Sequence, residues 1–174
     1  MNEAQWYLLT TLLNKAGKIA KERGMQLSYH THVGTVVQTL AEADRLFHST
    51  DDTVGFCLDT GHLRYAGASQ SEIEDLVKKY IRRVKHVHLK DVRREVLPVA
   101  VNKRYSFYQA IESGIFTVAG DPTADMDLGP ILQMLKEAGY YGWMIVEAEQ
   151  DPTHANPVKY AKMAREYLRK QVGF

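Results

Sequence analysis

Three short stretches of the chain alternate between apolar and polar residues, a fourth is a short apolar run that ends at Glu147, and the stretches between them repeat their apolar residues every three to four positions. Alternation with a period of two predicts a β-strand, and the longer period predicts a helix that buries one face. The predicted strands are 25–30, 54–59, 84–91 and 142–147, the last continuing to Glu149. The predicted helices are 5–23, 36–47, 71–81, 106–113, 130–138 and 157–170.

The segments between these elements are predicted to be turns and loops. Residues 60–62 form a turn after the second strand, and residues 92–105 and 117–127 form two irregular stretches. Ser71 and Glu74 fit a capping box that begins the third helix. Long loops are uncommon in compact domains unless they serve a site. We therefore expect the two irregular stretches to lie near the function.

Strands that alternate with helices predict an α/β fold with a parallel sheet. Each predicted strand carries ionisable side chains at or just beyond its C-terminal end, and these are His30, His32, Asp59, His62, His88, Lys90, Glu147 and Glu149. In parallel α/β folds, ligands bind at that end of the sheet. The sequence therefore predicts one site to which all four strands contribute.

The strand 84–91 shows the two faces clearly. Val87 and Leu89 point to one face, whereas His86, His88 and Lys90 point to the other. Buried imidazole and ammonium groups need partners, so this polar face belongs either to an exposed edge or to a site. The matching chemistry at the other three strand ends favours the site.

Two imidazoles and two carboxylates are predicted on the shared face, from His30, Asp59, His88 and Glu147. This mixed nitrogen and oxygen set suits Mn²⁺, Co²⁺, Fe²⁺ or Zn²⁺ better than Ca²⁺ or Mg²⁺. The sequence does not choose among the four ions. The joint placement predicts a divalent-metal site.

Each of these residues also has a simpler interpretation. His30 or His32 alone is more often a hydrogen-bonded structural histidine than a ligand. Asp59 before Thr60 could make an Asx-turn, and Lys90 with the following Asp91 could be a surface ion pair of little energetic value. The structure can separate these alternatives from the metal site.

Composition narrows the class of protein. The chain has 174 residues, of which 45% are hydrophobic, and a formal net charge of +1. This suffices for a single domain, 1–174, and the balanced charge argues against a nucleic-acid partner. Cys57 is the only cysteine, so we expect no disulfide, no zinc site built on cysteines, and a reducing cytoplasm. The sequence shows neither a leader nor an apolar run of about 20 residues, so we expect no membrane partner.

Three motifs resemble the sugar phosphate isomerase/epimerase superfamily of xylose isomerase-like TIM barrels. They are Asp59-Thr60-Gly61-His62, His86-Val87-His88-Leu89-Lys90-Asp91 and Trp143-Met144-Ile145-Val146-Glu147. Residues 29–39, 114–118 and 146–152 resemble the inosose dehydratases of inositol catabolism in particular. The resemblance extends over nearly the whole chain.

The resemblance implies a (β/α)8 barrel of which this chain supplies the C-terminal four βα units. A full barrel of this type needs about 250 residues, so residues 1–174 would form its C-terminal half. An unclosed half leaves two strand edges and one sheet face uncovered. Pairing with a second copy or another partner could complete the barrel, and an inactive half-barrel is the alternative.

The resemblance also implies an activity, the metal-dependent dehydration of 2-keto-myo-inositol (scyllo-inosose) to a trihydroxycyclohexane-dione, as in a hydro-lyase. The metal, Mn²⁺ or Co²⁺ above all, would bind the four residues named above. Glu147, or Glu149, would take the α-proton, and either Lys90 or His62 would protonate the departing hydroxide. His32, His62, Lys90 and Glu149 would contact the cyclitol substrate. Glutathione is associated with such enzymes, but no residue here places it.

One departure from the superfamily pattern bears on the reaction. Most members have a metal-binding glutamate where this chain has His30. Epimerases of the superfamily use two glutamates to exchange a proton, so a histidine weakens two-base epimerisation and favours dehydration. A metal-dependent ketose epimerase or isomerase is the alternative activity.

Overall fold

The computed structural model describes residues 1–173 and contains a parallel sheet with helices on one face. The helices are α1 Glu3–Glu22, α2 Leu40–His48, α3 Thr60–Tyr65, α4 Gln70–Tyr80, α5 Val96–Asn102, α6 Phe107–Glu112, α7 Gly129–Glu137 and α8 Pro157–Val172. The strands are β1 Leu27–His30, β2 Val54–Asp59, β3 Val84–Leu89, β4 Asp91–Val92, β5 Phe116–Thr117 and β6 Met144–Val146. A single 3-10 turn, Ile81–Arg83, leads into β3.

The main sheet has the strand order β1-β2-β3-β6, and every neighbouring pair is parallel. The predicted α/β class and the four parallel strands are therefore confirmed. The short strands β4 and β5 pair antiparallel in a separate ribbon. That the four main strands are half of a closed eight-stranded barrel stays a prediction.

Two predicted helix starts are wrong, and capping explains both. The helix predicted from residue 36 begins at Leu40, because Thr39 is in an extended conformation and accepts the Glu42 N–H. The predicted capping box of Ser71 and Glu74 lies two residues earlier, at Ser69 and Glu72. In each case the N-cap side chain satisfies a helical N–H that otherwise lacks a partner.

The loop predictions also need correction. Residues 60–62, predicted to be a turn, begin α3, and residues 92–105 contain β4 and α5. The helix α5 was not predicted, because Pro98 is typical of a loop. This proline lies in the first turn of α5, where its missing N–H removes no helical hydrogen bond. The strand predicted for 142–147 is shorter, and β6 covers only Met144–Val146.

The apolar faces of the strands form the core together with the helices. Phe56 and Leu58 of β2 and Val87 and Leu89 of β3 are fully buried and pack with side chains of α2, α4 and α7. The other face of the sheet, which we call the inner face, carries the polar side chains of the strands, among them those of Asp59 and His88. The predicted separation of apolar and polar faces is therefore confirmed.

Both edges of the sheet are formed by single strands, β1 and β6. Beside β6, Tyr141 and Trp143 are largely exposed, and Ile145 on the inner face is 40% exposed. A groove of about 1220 Å³ separates Met144 and Val146 of β6 from Leu168 of α8. Within residues 1–173, no helix is both long and apolar enough to cross a membrane.

Candidate metal centre and active site

The C-terminal ends of β1, β2 and β3 bring their polar side chains together, as the sequence predicted. His30 ends β1, Asp59 ends β2, and His88 lies one residue before the end of β3. In the sheet, Asp59 pairs with His88, and His30 pairs with Cys57 one step below. The residues that follow the strands complete the cluster, and they are His32, His62, Lys90, Glu147 and Glu149.

The two carboxylate oxygens of Asp59 have different partners. Oδ1 accepts the N–H of His62 at 2.9 Å and so caps α3, which confirms the turn-type interpretation for this oxygen. Oδ2 faces the site, 3.2 Å from Nε2 of His30 and 3.5 Å from Nδ1 of His88. Burial alone raises the pKa of Asp59, but the imidazoles of His30 and His88 and the charge of Lys90 hold that pKa well below its usual range. Asp59 is therefore a buried carboxylate.

His88 and Glu147 face each other across the site. Nδ1 of His88 is 3.1 Å from Oε2 of Glu147, yet both atoms are buried and neither makes a well-directed hydrogen bond. Asp59, and then Cys57 and Glu147, raise the pKa of His88 to about 11 against the effect of burial. His88 in turn lowers the pKa of Glu147 to about 2, with burial opposing and Lys90 adding to the shift.

This arrangement fits a divalent cation. Donor atoms of Asp59, His88 and Glu147 all lie within 4.8 Å of one another, and the same holds for His30, Asp59 and His62. Nδ1 of His88 and Oε2 of Glu147 are buried without a well-directed hydrogen bond, and a shared cation would bind both, beside the ammonium of Lys90 that already pairs with Oε2 at 2.8 Å. Three of the four predicted ligands therefore form one group, and His30 joins Asp59 in the other group, together with His62.

Lys90 lies at the centre of this cluster and is fully buried. Its Nζ is 2.6 Å from Oε2 of Glu149, 2.8 Å from Oε2 of Glu147 and 3.4 Å from Oδ2 of Asp59. Burial lowers the pKa of Lys90, but the three carboxylates outweigh it and raise that pKa. The surface ion pair with Asp91 considered above is wrong, because both residues are buried.

His62 completes the buried part of the site from the first turns of α3. Its Nε2 lies 3.0 Å from Nζ of Lys90 and accepts from that ammonium, while Nδ1 is buried without a partner. Burial lowers the pKa of His62 to about 3, and Lys90 adds to this shift against the opposing charge of Asp59. The imidazole is thus neutral and keeps a free N–H at Nδ1.

His32 lies at the mouth of the site. Its Nδ1 donates to the carbonyl of Val33 at 2.7 Å, and its ring stacks on that of His62 with centroids 3.7 Å apart. Donor atoms of His32, His62 and Glu149 lie within 4.8 Å of one another. The structural hydrogen bond expected of a lone histidine is therefore present, and the other ring nitrogen is left for the site.

The turn between Asp59 and His62 packs against the side chain of Lys90. A Cβ on Gly61 would lie 2.5 Å from Cγ of Lys90, so only glycine lets the lysine stem pass. The hydroxyl of Thr60 donates to the Lys90 carbonyl at 2.5 Å. These two contacts explain the Asp-Thr-Gly-His spacing, since each residue either binds or makes room for the cluster.

The family follows from a comparison over the whole chain. The family model described as xylose isomerase-like TIM barrel matches residues 2–171. The chain belongs to this family. The superfamily resemblance of the three motifs is therefore confirmed.

The curated relatives of the chain include inosose dehydratases. The chain is 46% identical over 171 residues to the inosose dehydratase of Clostridium botulinum, which covers 98% of this chain. A second inosose dehydratase, from Geobacillus thermodenitrificans, is 46% identical over 172 residues. The chain spans only 56% of the length of each of these relatives.

Among solved structures, a sugar phosphate isomerase/epimerase from Parabacteroides distasonis superposes with a TM-score of 0.70 at 19% identity. It covers 99% of this chain, while the chain covers 54% of that structure. This likeness supports the fold alone.

The sequence interpretation missed one residue beside the predicted ligands. Cys57 is buried on the inner face, and its sulfur lies within 4.8 Å of donor atoms of His30 and His88. The signal was present, because Cys57 precedes Asp59 by two positions and therefore shares its face. The aromatic rings of Phe107 and Phe116 beside His62 were also missed, since they come from segments distant in sequence.

Proposed function

We propose that this chain carries the catalytic half of a hydro-lyase that removes water from 2-keto-myo-inositol (scyllo-inosose), giving a trihydroxycyclohexane-dione. The observation that supports it most is the facing pair of His88 Nδ1 and Glu147 Oε2, 3.1 Å apart, with the buried ammonium of Lys90 2.8 Å from the same carboxylate oxygen. The likeness to inosose dehydratases selects the substrate class.

The bound cation, Mn²⁺ or Co²⁺ by preference, would supply Lewis-acid stabilisation of the negative charge that develops on the substrate oxygens. Asp59, His88 and Glu147 would hold it, with His30 as a fourth ligand. Two imidazoles and two carboxylates match these ions better than Mg²⁺ or Ca²⁺. One solved structure of the same fold, described as the IOLI protein, contains a zinc atom.

Glu147 is assigned as the base that takes the proton from the carbon next to the ketone. It is ionised at neutral pH, because His88 and then Lys90 lower its pKa against burial. Loss of the neighbouring hydroxyl needs one proton, and Lys90 is the assigned donor, since its ammonium is retained by the raised pKa. His62, with its pKa near 3, cannot supply that proton as an imidazolium. We therefore propose Lys90 rather than His62 as the proton donor, a choice that the sequence left open.

The proton that Glu147 takes from the substrate can pass directly to Lys90. The substrate gives one proton to Glu147 and receives one from Lys90 as the hydroxyl leaves as water. Glu147 and Lys90 are then protonated and neutral, respectively, and only 2.8 Å separates their polar atoms. A direct proton transfer from the acid to the amine restores both groups for the next turnover.

The remaining polar groups are assigned to substrate hydroxyls. His62 has a free Nδ1–H, His32 lies over its ring, and Glu149 is partly exposed beside Lys90. Together they offer donors and an acceptor on the side of the cluster facing Phe107. A polyhydroxylated ring suits such a surface, because each hydroxyl both donates and accepts.

We also infer that the active form contains four further strands, which a second copy of this chain would supply. A two-fold axis along the strands would place β6 of one copy beside β1 of the other and close eight parallel strands. The free edges of β1 and β6 and the exposed Ile145 are the surfaces such pairing would cover. Sedimentation of the chain should show a dimer that Ile145→Lys dissociates, whereas Val158→Lys, at a residue of α8 that is 63% exposed, should leave the dimer intact.

The activity is tested by incubating the chain with scyllo-inosose and each of Mn²⁺, Co²⁺, Zn²⁺ and Mg²⁺, following the dione by mass spectrometry. We expect turnover with Mn²⁺ or Co²⁺, its loss in Glu147→Gln, and no change in His154→Ala, whose histidine lies on the exposed surface. Epimerised ketoses as the sole products, or full activity in Glu147→Gln, would contradict the proposal. An active monomer would contradict the pairing alone.

A further inference from the structure

Cys57 occupies a position on the inner face that packing alone does not explain. It lies between His30 and His86 in the sheet register, one step below Asp59 and His88. The side chain is only 4% exposed, and its neighbours on this face are imidazoles. A buried cysteine usually behaves as a small apolar side chain among other apolar ones; here the apolar core lies on the opposite face of the sheet.

We propose that His30, Cys57 and His88 form a second, thiolate-containing metal site that overlaps the carboxylate site and selects Zn²⁺ or Cd²⁺. The ligand atoms of the three residues lie within 4.8 Å of one another. Small movements of these side chains would bring all three atoms to bonding distance of one cation. The single cysteine excludes zinc sites with several thiolates, but one sulfur and two imidazoles form a tridentate set that zinc accepts.

The two sites differ in the softness of their ligand atoms. The set of Asp59, His88 and Glu147 offers two oxygens and one nitrogen, whereas this set offers one sulfur and two nitrogens. Thiolate ligands favour Zn²⁺ and Cd²⁺ over Mn²⁺ and Mg²⁺, whereas Co²⁺ accepts either ligand set. Binding replaces the S–H bond by a sulfur–metal bond and releases one proton to solvent.

The overlap has a functional consequence. Both sites use His88, and two divalent cations at adjacent positions repel each other, so a cation held by Cys57 competes with one held by Asp59 and Glu147. A soft cation is thereby moved one step deeper along the sheet, away from Glu147 and Lys90. Zn²⁺ and Cd²⁺ would then occupy the chain without supporting the chemistry assigned to the carboxylate site.

Cobalt reports directly on the sulfur ligand. Titration of the whole chain with Co²⁺ should produce a thiolate-to-cobalt charge-transfer band in the near ultraviolet. The band should be absent in Cys57→Ser and present in Glu147→Gln, which removes a ligand from the carboxylate site alone. His154→Ala, with an exposed histidine, serves as the matched control. In calorimetry, Cys57→Ser should weaken Zn²⁺ binding by about tenfold or more and leave Mn²⁺ affinity nearly unchanged.

Two outcomes overturn the proposal: absence of the band when Co²⁺ saturates the folded chain, or persistence of the band in Cys57→Ser. Circular dichroism checks that each variant folds. If Cys57→Ser does not fold, protection of the native thiol from alkylation by stoichiometric Zn²⁺ replaces it, and an unprotected thiol counts against the site. None of these readouts depends on turnover, so failure of the proposed dehydration leaves the test intact.

Discussion

The ammonium of Lys90 lies 2.8 Å from Oε2 of Glu147, in the space between this carboxylate and those of Asp59 and Glu149. Three carboxylates thus surround one buried amine that carries a single positive charge. The remaining negative charge suits a divalent cation, and the amine both attracts the carboxylates and repels that cation. We therefore expect Lys90 to set the affinity of the site for a cation, in addition to the proton transfer proposed for it.

Replacement of Lys90 by methionine separates these two roles. We expect turnover to fall by about 10²-fold or more, because the proton donor is lost. Mn²⁺ affinity should rise, since the repelling charge is removed while Asp59, His88 and Glu147 remain. Calorimetric titration and steady-state kinetics measure the two effects. Lys85→Met is the control, because Lys85 is exposed on the same strand and donates to the carbonyl of Arg82. A fall in Mn²⁺ affinity in Lys90→Met would contradict the assigned repulsion.

The pair of His88 and Glu147 predicts how the stability of the metal-free chain depends on pH. Glu147 has its pKa lowered from 4.5 to about 2, so its contribution is full above pH 4.5 and is lost as the pH falls towards 2. His88 has its pKa raised from 6.5 to about 11, so its contribution is full below pH 6.5 and is lost as the pH rises towards 11. This pair therefore stabilises the fold most between pH 4.5 and 6.5.

Thermal unfolding in chelator tests this window. The wild-type midpoint should decline on the acid side below pH 4.5, and Glu147→Gln should reduce that decline. His88→Gln should reduce the decline above pH 6.5. Equal acid declines in the wild type and Glu147→Gln would show that other carboxylates dominate.

Gly61 is predicted to be essential for the position of Lys90. In Gly61→Ala the new Cβ would lie 2.5 Å from Cγ of Lys90, in a fully buried place. Such overpacking costs about 1–3 kcal/mol of unfolding free energy, and displacement of the ammonium should lower turnover further. Denaturant unfolding and kinetics measure these effects. Gly129→Ala is the control, because its Cβ would meet only the side-chain ends of Asp127 and Gln171, none nearer than 3.1 Å. An unchanged stability in Gly61→Ala would contradict the contact.

The sequence predicted the site better than it predicted the segments around it. The strand-end residues were identified because period-two alternation and the C-terminal edge of a parallel sheet depend on short-range pattern and topology. The helix α5 was missed because Pro98 has the same signature in a first turn as in a loop. The role of Lys90 was undetermined, since its partners Asp59 and Glu149 are 31 and 59 residues away. Such long-range pairing is a property of the fold.

Asp91 gives a prediction that is independent of the metal. Its Oδ1 accepts the N–H groups of Val92 and Met126, at 2.7 Å and 3.2 Å, while Oδ2 is buried without a partner. Burial raises the pKa of Asp91 from 3.8 to about 7, although these backbone N–H groups oppose the shift. A raised carboxyl pKa means that the folded chain binds the proton more tightly than the unfolded chain does. Its contribution to stability therefore declines as the pH rises from 3.8 to about 7.

Asp91→Asn keeps the amide oxygen that can accept both N–H groups and removes the titration. The variant should be more stable than the wild type at pH 8, where the native carboxylate is charged and buried, and the difference should shrink at pH 5. Denaturant unfolding at both pH values measures this difference. Asp75→Asn, at a carboxylate whose side chain is 77% exposed, is the control. A variant that is less stable than the wild type at pH 8 would mean that Oδ2 has a partner in solution, since a buried charge without one cannot stabilise the fold.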